Sequence, residues 1–307
     1  MTTTPQSSRD FASLSTEAVD PTFADIDRMP VADLATLMNA TDATVPAAVE
    51  RALPSIVPAI EAVTERLRAG GRLIYVGAGT PGRLGVLDAS ECPPTFGTSP
   101  DQVFAIIAGG PEAIVSPIEG AEDDEGQGAA AIVAAGVGPL DAVVGVASSG
   151  RTPYVVAAIG EARRRGALTV GLSCNVGTAL SDAAEHAIEI AVGPELISGS
   201  TRLKAGTAQK LVLNMFSTIA MIQIGKTYGN LMVDVHASNA KLRARAVRIV
   251  RSIAEVDRAT AVAALEETGY RVKHAVLLLR LGLDPATAEE KLLAAGGRLR
   301  NVLEGTA

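Results

Sequence analysis

Five short apolar runs mark the middle of the chain, at residues 73–76, 103–108, 142–147, 168–172 and 188–192. Each has few polar interruptions and gives way to small or polar residues, then to a stretch with helical spacing. Consecutive apolar positions fit a strand covered on both faces, as in a parallel sheet, whereas a half-exposed strand alternates. Strands alternating with helices imply right-handed crossovers, so the pattern predicts an α/β fold with a doubly wound, five-stranded parallel sheet. Ligands of such sheets bind beyond the carboxyl ends of the strands. The loop after each run is therefore where chemistry is to be sought.

The flanks read as helical. A polar, loose stretch to about residue 13 precedes a short helix at 30–39 with Leu34, Leu37 and Met38 on one face. Asp42 or Thr44 can cap the next helix, with Pro46 in its first turn. Pro54 and Pro58 are expected to break or kink it before Gly70-Gly71 ends it. Beyond the strands, long helices are expected at 205–228 and 237–252. Three or four short ones follow, separated by Gly269, the 282–285 region and Gly296-Gly297. Residues 241–307 hold 12 Lys and Arg against 8 Asp and Glu, a local +4. That leaves −11 on the first 240 residues of a chain whose total is −7. The shift suits a separate C-terminal module. The division expected is an N-terminal helical arm at 1–55, an α/β domain at 56–230 and a C-terminal helical module at 231–307.

A net charge of −7 argues against nucleic acid as a partner. No apolar run is long enough to span a bilayer, and the first residues lack the basic start and apolar stretch of a secretory signal. Two cysteines in 307 residues make no disulfide framework, so a cytoplasmic location is expected. The absence of Trp weakens readings that need stacking platforms for bases.

After the first run comes GAGTPGR at 77–83, which matches G-x-G-x-x-G. The acidic residue that should end the next strand and bind ribose is missing, since that strand runs into Ala108-Gly109-Gly110. A glycine loop at a helix start still offers free N–H groups to an anion, including a sugar phosphate. After the third run, Ser148, Ser149, Gly150, Arg151 and Thr152 precede Pro153. One hydroxyl suffices to cap a helix. Three in five residues suit the oxygens of a phosphate monoester better. Ser173, Cys174 and Asn175 add small polar groups after the fourth run.

Two carboxylates stand out. Glu91 lies among Ser90, Cys92, Pro93 and Pro94, just beyond the first loop's helix; Glu122 lies in the acidic run 119–125. Two carboxyl groups in one cleft can divide acid and base work when their surroundings separate their pKa values. A solvated helix start is the plainer reading of Glu122. His186, His236 and His274 show no metal-ligand spacing, and Cys92 and Cys174 read as small buried thiols.

Taken together these loops resemble the sugar isomerase domain family, and within it the branch that cleaves a lactyl ether. The resemblance rests on GAGTPGRLG at 77–85, LDASECPPT at 87–95, IAGG at 107–110 and EGAED at 119–123. It continues in SSGRTPYV at 148–155, GSTRLKAGTAQKLVLN at 199–214 and YGNLMVDV at 228–235. It extends from about residue 16 to the C terminus. It implies a cofactor-free lyase acting on N-acetylmuramic acid 6-phosphate in cell-wall amino-sugar catabolism or recycling, with N-acetylglucosamine 6-phosphate and D-lactate as products. Glu122 matches the position of the base that removes the C2 proton. Glu91 matches that of the acid that protonates the departing lactate. The phosphate is expected on Ser148, Ser149, Gly150 and Thr152, with Gly79, Thr80 and Lys204 as further contacts. Relatives carry Ser where this chain has Pro81, which puts the first loop's share in question. The family also implies a homodimer with sites near the interface. Rival readings are a sugar-phosphate sensor, which needs no acid and base facing one ligand, and an aldose–ketose isomerase, which needs no acid at C3.

Overall fold

A computed structural model describes residues 14–305. The loose stretch expected to about residue 13 lies outside the described residues. Helices α1 (Val31–Asp42) and α2 (Val45–Arg68) lead into β1 (Leu73–Gly77), α3 (Gly79–Phe96) and β2 (Val103–Ile107). Then come α4 (Glu125–Ala134), β3 (Ala142–Val146), α5 (Pro153–Arg164), β4 (Leu168–Ser173), α6 (Ala179–Ala183) and β5 (His186–Glu189). The chain continues through α7 (Lys204–Gln223), α8 (Ala240–Ala254), α9 (Arg258–Glu267), α10 (Val272–Leu281), α11 (Pro285–Ala294) and α12 (Leu299–Glu304).

The five strands form one parallel sheet in the order β2-β1-β3-β4-β5, as the apolar runs predict. Every residue of β1, β3 and β4 is buried. The chain leaves β1 in one direction toward β2 and returns on the other side as β3, so the sheet changes direction between β1 and β3. Only the fifth strand is displaced, beginning at His186 rather than near residue 188. It pairs Val170–Ser173 of β4; the Ile190 N–H makes the last bond, to the Ser173 carbonyl at 2.9 Å, and the apolar Ile190 and Val192 are buried in the core beyond the strand.

Helices α2, α3 and α7 cover one face, with Ile56, Val63, Val212, Leu213 and Phe216 packed against Tyr75, Val144 and Leu172. Helices α4, α5 and α6 cover the other, where Ile132, Ile159 and Leu180 meet Ile74, Val76 and Val143. A separate apolar cluster sits within α8–α12 and takes in Val233 and Val235.

Two proline pairs behave differently from the expectation. Helix α2 runs unbroken through Pro54 and Pro58. The prolines and the residues whose carbonyls they release, Glu50 and Pro54, are all exposed, so water takes the freed acceptors while Ala52, Ile56 and Ala59 keep the inner face packed. Helix α3 likewise continues through Pro93 and Pro94 to a left-handed Gly97. Glu91 therefore lies inside this helix, not beyond it. At the other end of α3, a Cβ on Gly82 would stand 2.6 Å from Ile107 Cγ1 and 2.9 Å from the Gly77 carbonyl, so only glycine lets the helix start this close to the sheet.

The opposite, amino edge of the sheet is tied by Arg72 and Asp141, which directly precede β1 and β3. Asp141 accepts from Arg72 Nε at 2.9 Å, Arg72 Nη2 at 2.6 Å, the Arg72 N–H at 3.1 Å and the Gly138 N–H at 2.9 Å. Burial pushes the Asp141 carboxyl up, but the guanidinium and the amides outweigh it and hold it below the usual range. A folded value below the unfolded one gives stability that is full above pH about 4 and fades as pH falls through the folded value. Asp141→Asn is expected to cost about 2 kcal/mol at neutral pH. Urea midpoints across pH check it: the gap to wild type should close between about pH 5 and pH 2.

Candidate active site

The loops after β1 and β3 open away from each other at the point where the sheet changes direction, and a cavity of about 300 Å³ lies between them. Ala78, Gly79, Thr80 and Pro81 line it from the β1 side, and Ser148, Ser149, Arg151, Thr152 and Pro153 from the β3 side. Glu122 and Asp123, in the 3-10 turn Ala121–Asp123, add two carboxylates; Glu17 and Thr201 complete the lining. Helices α3 and α5 both begin at this cavity, so the positive ends of two helix dipoles converge on it.

The hydroxyls of the β3 loop are not used as caps. Thr152 is the N-cap residue of α5, yet its side chain makes no capping bond. Ser149 Oγ accepts from the Arg151 N–H at 3.2 Å, a local turn. Ser148 Oγ accepts from Gln209 Nε2 at 2.9 Å. Gly150 shapes the turn rather than lining the cavity. Its φ is +66°, and a Cβ there would collide with the Thr178 side chain. Pro81 falls in the first turn of α3, where an N–H has no partner inside the helix in any case, so the first loop keeps its helical start without a serine.

The acidic run separates into distinct roles. Asp124 caps α4 by accepting from the Gln127 N–H at 2.9 Å. Glu119 borders a neighbouring cavity of about 690 Å³ beside β2, which is larger but mostly apolar and contains none of the hydroxyl loop. Glu122 alone among the run's glutamates faces the hydroxyl cavity.

Besides Gly150, two expected site residues lie elsewhere. Lys204 does not line the cavity. It is buried at the start of α7 with its Nζ donating to the Val192 carbonyl at 2.7 Å, while the buried Glu195 carboxylate accepts from the Lys204 and Ala205 N–H groups, each at 2.9 Å. Its place is structural because its charge is spent on the loop before the helix. Glu91 is exposed on α3, twelve residues past the helix start at Gly79, about 18 Å along the axis at 1.5 Å per residue. Within one chain Glu91 and Glu122 do not share a cavity.

Ser173, Cys174 and Asn175 also turn inward. Asn175 is bonded to Ser15, Thr16 and the Ser148 carbonyl, which straps the segment around Glu17 over the carboxyl edge. Burial pushes both thiols, Cys92 and Cys174, up to about 12, so they are inert as nucleophiles at neutral pH. His236 borders a third cavity near α8 and α10, and His274 pairs with Glu289 there. Among the described residues no helix is long and apolar enough to cross a membrane.

Residues 55–162 match the glucokinase regulatory protein N-terminal SIS domain, and residues 125–219 match the SIS domain. A phosphoheptose isomerase from Francisella tularensis superposes with a TM-score of 0.50 at 20% identity, over 63% of this chain and 100% of that one. That likeness concerns the fold. An N-acetylmuramic acid 6-phosphate etherase from Streptomyces avermitilis is 58% identical over 290 residues, 94% of this chain and 93% of its own. One from Streptomyces coelicolor is 59% identical over 287 residues, 94% and 92% respectively. The chain belongs to the N-acetylmuramic acid 6-phosphate etherase family. The etherase relatives span nearly the full length, so the likeness includes α8–α12 as well as the sheet. The sugar isomerase fold expected from the loops is the fold observed.

The etherase loop at 148–153 depends on its left-handed glycine. Gly150→Ala is expected to destabilise the protein by about 2 kcal/mol or more, because the φ is strained for alanine and Thr178 must move. Chemical denaturation checks it; an unchanged midpoint would contradict the collision with Thr178.

Proposed function

We propose that this chain cleaves the D-lactyl ether of N-acetylmuramic acid 6-phosphate. The products are N-acetylglucosamine 6-phosphate and D-lactate. The observation that carries this is identity of 58–59% to etherases over 94% of the chain, combined with a cavity in which Glu122 faces a loop whose hydroxyls cap no helix. The sensor and isomerase readings lose ground for the same reason.

In this reading the 6-phosphate sits between the N-termini of α3 and α5, on the β3-loop hydroxyls and backbone N–H groups, with Thr80 opposite. The sugar opens to its aldehyde, which makes the C2 proton acidic. Glu122 removes that proton as the C3–O bond breaks and the C2–C3 double bond forms. A lactate oxygen leaves poorly unless protonated, and Glu91 supplies that proton. Water then adds across the double bond: Glu91, now a carboxylate, takes a proton from the water as its oxygen bonds to C3, and Glu122, now protonated, returns its proton to C2, so both carboxyls recover their starting states.

The position of Glu91 calls for a second copy. Leu87 and Glu91, one turn apart on α3, are both exposed; Val57 of α2 and Ile219 of α7 face one groove, with Leu53 and Ile222 also exposed on these helices. We take this apolar side as the face of a homodimer in which Glu91 of one subunit completes the cavity of the other. A cytoplasmic role in cell-wall amino-sugar recycling or catabolism follows from the substrate.

The test is D-lactate release from N-acetylmuramic acid 6-phosphate in ¹⁸O water. Label should appear at C3 of the sugar, and Glu91→Gln or Glu122→Gln should lower kcat by about 10²–10⁴. No lactate from folded wild type that binds the sugar phosphate would overturn the assignment. Dimers re-formed from equal amounts of the two variants should regain about a quarter of wild-type activity if the sites are shared across the two-fold. No recovery in such mixed dimers would place both glutamates in one subunit.

A further inference from the structure

Behind the hydroxyl loop lies a buried polar chain that the proposed chemistry does not use. Gln209, on the inner face of α7, is fully buried. Its Nε2 donates to Ser148 Oγ at 2.9 Å and approaches Cys174 Sγ at 3.9 Å. Its Oε1 has no hydrogen-bond partner among the described residues. Cys174 Sγ in turn stands 3.7 Å from the Ala205 carbonyl, the acceptor within reach of its single hydrogen.

We infer that Gln209 is a positioning residue that holds the Ser148 hydroxyl as a hydrogen-bond donor to the phosphate. The inference rests on the reading above that the β3 loop binds the phosphate. The sense of the amide follows from the sulfur. A thiol has one hydrogen, and with that hydrogen on Ala205 the sulfur can only accept from Gln209, so the amide turns its nitrogen to this side. The same nitrogen then donates to Ser148, whose oxygen is thereby an acceptor. The serine's one proton cannot point back at an N–H. No acceptor takes it among the described residues, and Ser148 lines the cavity. A phosphate monoester offers acceptor oxygens to meet it. Were the amide turned over, its carbonyl would draw the serine's proton inward, and the loop would lose a donor.

The experiment is a double-mutant cycle on the full-length protein, with N-acetylglucosamine 6-phosphate as the probe and calorimetry as the readout. Gln209→Met should weaken binding about tenfold in the wild-type background. In the Ser148→Ala background the same change should weaken it about twofold or less. In turnover, KM should rise while kcat stays within about twofold. Thermal unfolding of each variant confirms that it folds. Should Gln209→Met fail to fold, the near-isosteric Gln209→Glu carries the test, because its carboxylate draws the serine's proton inward and should weaken binding at least as much. Equal losses in both backgrounds, or wild-type affinity in Gln209→Glu, would overturn the positioning role. Unchanged affinity in Ser148→Ala would overturn it together with the phosphate reading of the loop. Loss in Ser148→Ala with no effect at Gln209 would overturn the positioning role alone.

Discussion

The placement of β1 between β2 and β3 is the constraint on which the rest of the molecule depends. Its residues Leu73–Gly77 pair in register with Val103–Ile107 on one side and Ala142–Val146 on the other. Because the connections that leave β1 and β3 run to opposite sides of the sheet, the loops beyond these two strands must part, and the cavity forms where they do. The Arg72–Asp141 pair secures the same two strands at the far edge. A slip of either strand by one residue would invert its buried faces and would also remove the hydroxyl loop from the start of α5.

The phosphate site proposed for this cavity, in a chain of net charge −7 and beside Glu17, Glu122 and Asp123, requires strong short-range groups. Helix dipoles contribute about 0.3–1 kcal/mol each at exposed ends. Hydrogen bonds to a charged group contribute about 1.5–3 kcal/mol each. Three hydroxyls and the amides of two helix starts therefore outweigh the dipoles, and the direction of each hydroxyl proton matters more than total charge. This explains why Lys204 can be spent on the Val192 carbonyl. It also explains why a buried glutamine behind Ser148 is worth an unpaired oxygen.

The sheet was legible because buried parallel strands are apolar at consecutive positions, and four of the five runs fall on the observed strands. The fifth run overshoots its strand because the buried Ile190 and Val192 lie past the last paired residue, Glu189, and periodicity cannot tell core packing from strand pairing. Proline misled twice. Pro54 and Pro58 sit on a wet face where the lost bonds go to water, and Pro93 and Pro94 release the carbonyls of Ala89 and the exposed Ser90 just before α3 ends at the left-handed Gly97. In the site, the hydroxyl loop is a visible local motif, whereas Glu122 is singled out by the family resemblance, a solvated helix start being its plainer local reading. Glu17 and Gln209 were not visible, since they arrive from 131 residues before and 61 residues after Ser148 and carry no local signal of that meeting.

Helix α3 carries one more consequence of this arrangement. Its first turn is fixed to the sheet by the Gly82–Gly77 approach, which leaves no room for a Cβ. Its last residue meets a second fixed point, because Gly97 packs on the Asp234 carbonyl, where a Cβ would stand 2.5 Å away. Asp234 is itself held by Lys273, whose Nζ donates to its carboxylate at 2.6 Å and to the Gly297 carbonyl at 2.7 Å, with Lys226 at 3.6 Å. Lys273 is largely buried, so an unpaired Asp234 or Lys273 would leave a charge without compensation at a cost of about 3–5 kcal/mol. The α8–α12 cluster thus fixes the end of α3 from which Glu91 projects. The network of Asp88 with Tyr75, Asn214 and Ser217 fixes its middle against β1 and α7. An exposed glutamate on a helix held at both ends and in the middle loses little orientational freedom from motion of its own backbone. That is the property a proton donor needs if it is to meet a leaving group in another subunit's cavity.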